Sequence, residues 1–391
     1  MLYNLLDMDG LRPEDFRAYT QRQLLAEVQN PTRIGERILP FRTVRTYRLK
    51  TGNIRFRPVA ASVVAPNATF PEGPLATFSE REYEMLKIGL QYSLKEDELI
   101  RFYELYGPGA LSTPSAMTEN MRMELLNEPY RLLRALGIGW LDRCEQIRWA
   151  YLANDAYAIP RTGIVVNWGV PASNKYALTG TDAWNDYANA DGIADLEEMN
   201  QGALDNYGVP ITTYYMSTQA FRHLMRQTKV QNRLAAFGLI GGLGMQVIAN
   251  PAGNTDMSAN VSLSRIQAYM NDRRGNQGRG EAGMNIVLYD KTYSEFDFRG
   301  NTQPVDTRFL PVNKVVGLSA TPLTGPVLPS PVAGTAAGYF ADGPVAENNF
   351  ASGFYTFGEV EQSPFRMWIR GTGWGFPLVD ERTVHQLDIG V

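Results

Sequence analysis

The chain of 391 residues is 44% hydrophobic, enough to bury at least one sizeable core and, by length, to form two or three domains. Its formal net charge of −4 excludes a dedicated nucleic-acid binder, which carries a strong positive excess to neutralise phosphates. A single cysteine, Cys144, excludes an intrachain disulfide framework and a cysteine-rich zinc site, so a reducing cytoplasm is the expected place of synthesis. Export is not expected, because Asp7 and Asp9 stand where a signal peptide needs positive charge. The longest apolar run, Ala235 to Ala249, is interrupted by glycines and falls short of the roughly 20 residues of a membrane span, so no membrane role is expected.

Residues Pro13 to Val28 read as a helix, with Pro13 at a first helical position and Pro31 beyond the end. From Phe41 to Val64 the pattern alternates, and Lys50-Thr51-Gly52-Asn53 reads as the turn of a long two-stranded hairpin. Between residues 31 and 60 stand eight basic residues, Arg33, Arg37, Arg42, Arg45, Arg48, Lys50, Arg55 and Arg57, against one acid, Glu36. So polar a hairpin is marginal alone and is expected to rest on something else. Ser93 and Glu96, three apart, suggest a capping box opening a helix to about Tyr106.

The longest helical pattern follows, from about Ser115 to Asn154. Met117, Met121, Leu125, Leu132, Leu136, Trp140, Cys144, Ile147 and Tyr151 share a face, and Pro129 is expected to kink or restart the helix. Gly163 to Val170 reads as a strand, and a turn then leads to a helix from about Gly192 to Asn206. Seven acids and no Lys or Arg lie between Thr181 and Asn206. The run ITTYYMS reads as a strand, Thr218 to Gln227 and Ser262 to Asn271 as helices, and MNIVLYD as a strand, together a second α/β unit. Residues 321 to 350, rich in Pro, Gly and Ala, read as a surface loop, and FYTFGEV, FRMWIRG and VHQLDI as closing strands.

No catalytic, cofactor-binding or metal site is expected. A serine triad or histidine-rich metal site would need one of the two histidines, yet His223 sits in a helical pattern and His385 in a terminal strand. The glycines of GLIGGLG and GTGWG miss the dinucleotide spacing and read as turns. Adjacent acids such as Glu197-Glu198 read as a solvated helix face, and Cys144 as a small buried hydrophobe. For the basic hairpin three readings stay open: a solvated loop, a contact with a neighbouring subunit, and a DNA contact.

Three stretches resemble the phage lambda type of major capsid protein, which has the Hong Kong 97 capsid fold. In the first, residues 184–225, the family's recurring positions fall on Trp184, Asp195, Gly208, Pro210 and Met216. The second, residues 284–319, has an apolar strand, Tyr289-Asp290, Tyr293, a polar hairpin, then Phe309-Leu310-Pro311 and another apolar strand. The third is the C-terminal run with Pro377-Leu378-Val379 and Val384.

The resemblance implies an α+β fold with an N-terminal arm (residues 1–40) and an extended β-hairpin loop (41–80). A peripheral domain with a spine helix (81–208, joined by strands near 351–371) and an axial domain (209–350 and 372–391) would complete it. It implies a non-enzymatic shell subunit that self-assembles as pentamers and hexamers into the icosahedral head of a tailed double-stranded DNA phage and expands from procapsid to mature capsid. Assembly would take place in the bacterial cytoplasm with a separate scaffolding protein and a portal, with room for a decoration protein, and the DNA would be enclosed without sequence preference. Arg42, Arg45, Arg48, Lys50, Arg55 and Arg57 are then the expected inter-subunit contacts, on an acidic surface of the next subunit, and Pro129 the expected hinge. An encapsulin-like nanocompartment shell of the same fold is the alternative.

Overall fold

The computed structural model describes residues 17–19, 21–22, 33–55, 77–95, 97, 119–159, 165–236, 263–276, 285–296, 304–319, 337–362 and 365–391. Helix α1 (Ile34–Ile38) and strand β1 (Phe41–Thr43) precede β2 (Arg48–Arg55), β3 (Thr77–Glu84) and β4 (Leu86–Lys95). Helix α2 (Glu119–Asn154) has 36 residues, about 54 Å at the usual helical rise. Strands β5 (Ala156–Ala158), β6 (Val165–Asn167) and β7 (Lys175–Ala177) then lead to α3 (Gly192–Tyr207), β8 (Thr213–Met216), α4 (Thr218–Arg226) and α5 (Thr228–Ala236). Next come α6 (Leu263–Asn276), β9 (Asn285–Leu288), β10 (Thr292–Phe296), β11 (Pro304–Arg308) and β12 (Lys314–Leu318). The chain closes with β13 (Gly338–Asp342), β14 (Pro344–Val345), β15 (Ala351–Ser352), β16 (Tyr355–Gln362), β17 (Phe365–Val379) and β18 (Val384–Asp388).

Two sheets carry two apolar cores. The first sheet is built on β17, which pairs antiparallel with β4 on one edge and with β16 and β13 in succession on the other, and β1 adds in parallel to β13. Helix α2 packs on it through Leu133, Leu136, Trp140, Cys144, Ile147 and Tyr151, a 3-and-4 spacing that puts all six on one stripe. Of the expected apolar face, Leu136 to Tyr151 are buried as read, whereas Leu133 takes the inner position and Leu132 is only half-buried. The helix runs unbroken through Pro129, so no restart occurs there.

The glycines of residues 371–375 are not a turn. They lie in mid-strand in β17, because a Cβ at Gly371, Gly373 or Gly375 would collide with Phe354, Trp140 or Phe340. Three missing side chains thus make room for three aromatic rings.

Three other expectations are corrected. Lys50–Asn53 is strand, paired in order with Glu82, Arg81, Glu80 and Ser79, so β2 and β3 are the hairpin and Phe41–Thr43 belongs to the first sheet. Ser93 lies in β4, opposite Trp368, and opens no helix; residues 98–106 lie outside the described residues. Within 321–350, β13 is largely buried in the first sheet rather than on a surface loop, because Phe340 fills the gap left by Gly375. The expected arm helix shows helical backbone at 17–19 and 21–22, its remainder lying outside the described residues.

The second sheet has the order β7-β18-β12-β8-β9, with α3, α4, α5 and α6 packed around it. Capping fixes two of these helices: Asp191 Oδ1 accepts from the Ala194 N–H (3.2 Å) and Ser217 Oγ from the Ala220 N–H (3.0 Å). Gly208, at φ 70°, ends α3 in the left-handed conformation that a residue without a Cβ adopts freely. Ile193, Leu196 and Met199 of α3 share a core with Tyr214, Leu224, Ile286 and Val315. The apolar stripe of α3 is thus buried by elements that follow Gly208.

Candidate assembly surfaces

The basic hairpin is built so that charge meets charge across its own strands. In register, Arg48 stands opposite Glu84, Lys50 opposite Glu82 and Gly52 opposite Glu80. Of these residues Arg48, Glu82 and Glu84 are exposed. Arg48 Nη1 lies 3.9 Å from Glu82 Oε1, with side chains 75% and 48% exposed, an ion pair worth little on its own. Glu80, Glu82 and Glu84 thus stand within the hairpin itself.

Among the described residues, Arg42, Arg45 and Arg48 of the expected contact set are exposed. Arg42 is exposed on β1 with its guanidinium 5.0 Å from the Tyr339 ring, and Arg45 is exposed in the turn before β2. Lys50 and Arg55 are placed by their strand only, and Arg57 lies outside the described residues.

Beneath the hairpin root sits a junction of buried charge. Glu145 Oε1 on α2 accepts from the Gly35 N–H (2.8 Å), Trp149 Nε1 (2.8 Å) and the Tyr289 hydroxyl (2.9 Å), and Glu145 is fully buried. Arg148, equally buried, places Nη1 3.6 Å from Glu145 Oε2, donates from Nε to the Leu39 carbonyl (3.0 Å) and lies between the Phe41 and Phe340 rings at 4.3 and 4.5 Å. Burial and the Glu145 carboxylate push the Tyr289 hydroxyl far above the usual tyrosine range, so it stays a donor. This junction ties α1, β1, α2 and the segment after β9 into one body. The sequence reading missed it; three residues carry the signal, an acid and an arginine on the buried side of α2 and a tyrosine in the second stretch of resemblance.

A second feature lies at the turn between β14 and β15. Asn349 (φ 53°) and Phe350 (φ 60°) are both left-handed, which costs non-glycine residues on the order of 1 kcal/mol each. Phe350 is 66% exposed and belongs to neither apolar core.

His223 is half-buried, its Nδ1 3.0 Å from the Tyr187 hydroxyl, and burial with the nearby Arg226 lowers its pKa. His385 is fully buried and pushed down to about 4 by that burial. Burial drives the Cys144 thiol well above the usual range, which makes it inert. Among the described residues no group of three His, Cys, Asp or Glu is placed to hold a metal ion, and no helix is long and apolar enough to cross a membrane.

Residues 151–327, from the end of α2 through β12, match the family model for phage major capsid protein E. This part of the chain is similar to phage major capsid protein E, and the strands of the first sheet lie outside the match. In fold the chain is similar to the capsid protein of a prophage of Escherichia coli CFT073, with a TM-score of 0.50, 14% identity, and coverage of 94% of this chain and 98% of that one. A phage-related protein of Bordetella bronchiseptica RB50 aligns with a TM-score of 0.45 and 12% identity over 94% and 96% of the two chains. The capsid of Myoviridae phage XM1 aligns at 0.44 and 11% over 88% and 86%. No curated protein matches the sequence.

Proposed function

We infer that the chain assembles in the host bacterial cytoplasm, as pentamers and hexamers around a separate scaffolding protein and a portal, into the head of a tailed double-stranded DNA phage. The shell encloses the genome, acts without catalysis, expands on maturation and leaves its outer face open to a decoration protein. The single observation that carries this reading is the capsid-family match, which spans every described element from β5 to β12. The junction at Glu145 supports a rigid body for the subunit, as a shell under internal pressure needs.

In this reading the β2–β3 hairpin reaches a neighbouring subunit. The basic side chains Arg42, Arg45, Arg48, Lys50, Arg55 and Arg57 set register there, since complementary charge contributes specificity more than affinity. Pro129 lacks the N–H that would complete the ladder of α2 and is the position where the helix bends during expansion. The peripheral domain is residues 81–208 with α2, joined by strands near 351–371, and the axial domain is residues 209–350 and 372–391.

DNA is held by confinement. The net charge of −4 supports weak binding of duplex DNA, without sequence preference and falling steeply with salt. Co-expression with the scaffold, followed by gradient sedimentation, tests the reading: fast-sedimenting particles are expected. A chain that stays monomeric with every scaffold offered contradicts it.

A further inference from the structure

The turn between β14 and β15 displays a large apolar side chain where folding gives no reason for one. Among the described residues Phe350 is the most exposed large hydrophobic one, at 66%, and its backbone sits in a conformation that glycine or asparagine would adopt at lower cost. Buried in neither core, it contributes no apolar burial to the subunit in return.

The turn is nevertheless held firmly. The Phe350 N–H donates to the Val345 carbonyl (2.9 Å) and the Asn349 N–H to the Ala346 carbonyl (3.2 Å), closing the loop on itself. Lys87 Nζ of β4 lies 2.7 Å from Glu347 Oε1, with side chains 49% and 34% exposed, and fastens one flank. On the other flank Ser352 Oγ donates to the Val44 carbonyl (3.2 Å), and the Gly353 N–H donates to the buried Asp342 carboxyl. A floppy loop could tuck a phenylalanine away; this one is fixed with the ring outward. Preorganisation of that kind lowers the ordering cost of binding.

We propose that Phe350 is an assembly knob, inserted on shell formation into an apolar surface of a second copy of this chain. The proposal rests on the capsid reading, which makes another copy the partner every subunit must meet. Position supports the same occupant, because the Ser352–Val44 bond joins the turn to the segment from which β2 and β3 project. A buried aromatic anchor at a subunit contact carries a large share of the association free energy.

The test uses the full chain co-expressed with its scaffold. Phe350→Asp is expected to give a subunit with wild-type circular dichroism and at least a tenfold lower yield of sedimenting shells. Phe350→Gly relieves the left-handed strain, so it should melt at or above the wild-type temperature and still lose shell yield, a combination that a purely structural role cannot produce. p-Benzoylphenylalanine at position 350, irradiated in finished shells, is expected to cross-link to a second copy. Wild-type shell yield from both variants, or a cross-link confined to its own chain or to another phage protein, overturns the proposal. Absence of shells from the wild type sinks the capsid reading itself, and this contact with it.

Discussion

The hydroxyl of Tyr289 donates to Glu145 Oε1 at 2.9 Å across 144 positions of sequence, and both side chains are buried. This bond joins the middle of α2 to the segment that leaves the second sheet, so it ties the end of β9 to the first core. Tyr289→Phe removes one hydrogen bond to a charged acceptor that keeps two other donors, and should cost about 1.5–3 kcal/mol of unfolding free energy. Glu145→Leu strands Arg148 without its carboxylate and should cost about 3–5 kcal/mol. Urea melts of both variants check the order. A larger loss from Tyr289→Phe than from Glu145→Leu would show that the junction is not organised around the carboxylate.

The buried titratable groups predict opposed pH dependences. Burial raises Asp342 to about 7, so its contribution is fully present below the ordinary aspartate value and is lost as pH rises toward 7. Burial lowers His385 to about 4, so the unfolded chain binds the extra proton and stability falls as pH drops from about 6.5 through 4. The two amount to about 4 kcal/mol for Asp342 and about 3 kcal/mol for His385, with opposite slopes in the shared window. Asp342→Asn, which mimics the protonated acid, should therefore stabilise the subunit at pH 8 and do little at pH 4. Thermal melts at the two pH values check this; an equal effect at both would mean that Asp342 does not titrate with folding.

The hairpin charges make a separable prediction. Arg45→Glu, Arg48→Glu and Arg55→Glu together should leave circular dichroism unchanged and stop shell assembly. Adding Glu82→Arg to Arg48→Glu restores the pair across the hairpin but not a contact with a neighbour. Shell yield should stay low after that reversal, whereas full recovery would show that the basic residues act only within their own hairpin.

Pro129→Ala supplies the missing N–H to α2 and should stiffen it. Alanine is favoured over proline in a helix interior by about 3 kcal/mol, so the subunit should gain stability. Particle diameter before and after DNA packaging is the readout, with the variant biased toward one of the two states. Unchanged expansion would leave Pro129 without a hinge role.

What the sequence could reveal was set by the range of the signal. The buried stripe of α2, the helices near Gly192 and Thr218, and the closing strands were legible because period, caps and alternation act within a few residues. The partner of β2 was not, since it enters from Thr77 onward, past a stretch with no local sign of return. The glycines of β17 looked like turns because their reason lies in Trp140, Phe340 and Phe354, distant in sequence. The Glu145 junction was hidden for the same cause: a buried acid and arginine on a helix look like a solvated pair until Leu39, Phe41, Phe340 and Tyr289 close over them. Phe350 was unreadable as a surface feature inside a run that looked like an undifferentiated loop.

The central claim, that copies of this chain close into an icosahedral shell, is tested most directly by electron microscopy of the recombinant protein expressed with and without its scaffold. Closed particles of uniform diameter, with five-fold and six-fold clusters of subunits, are the predicted result when the scaffold is present. Monodisperse subunits under both conditions, with the protein folded by circular dichroism, would contradict the account.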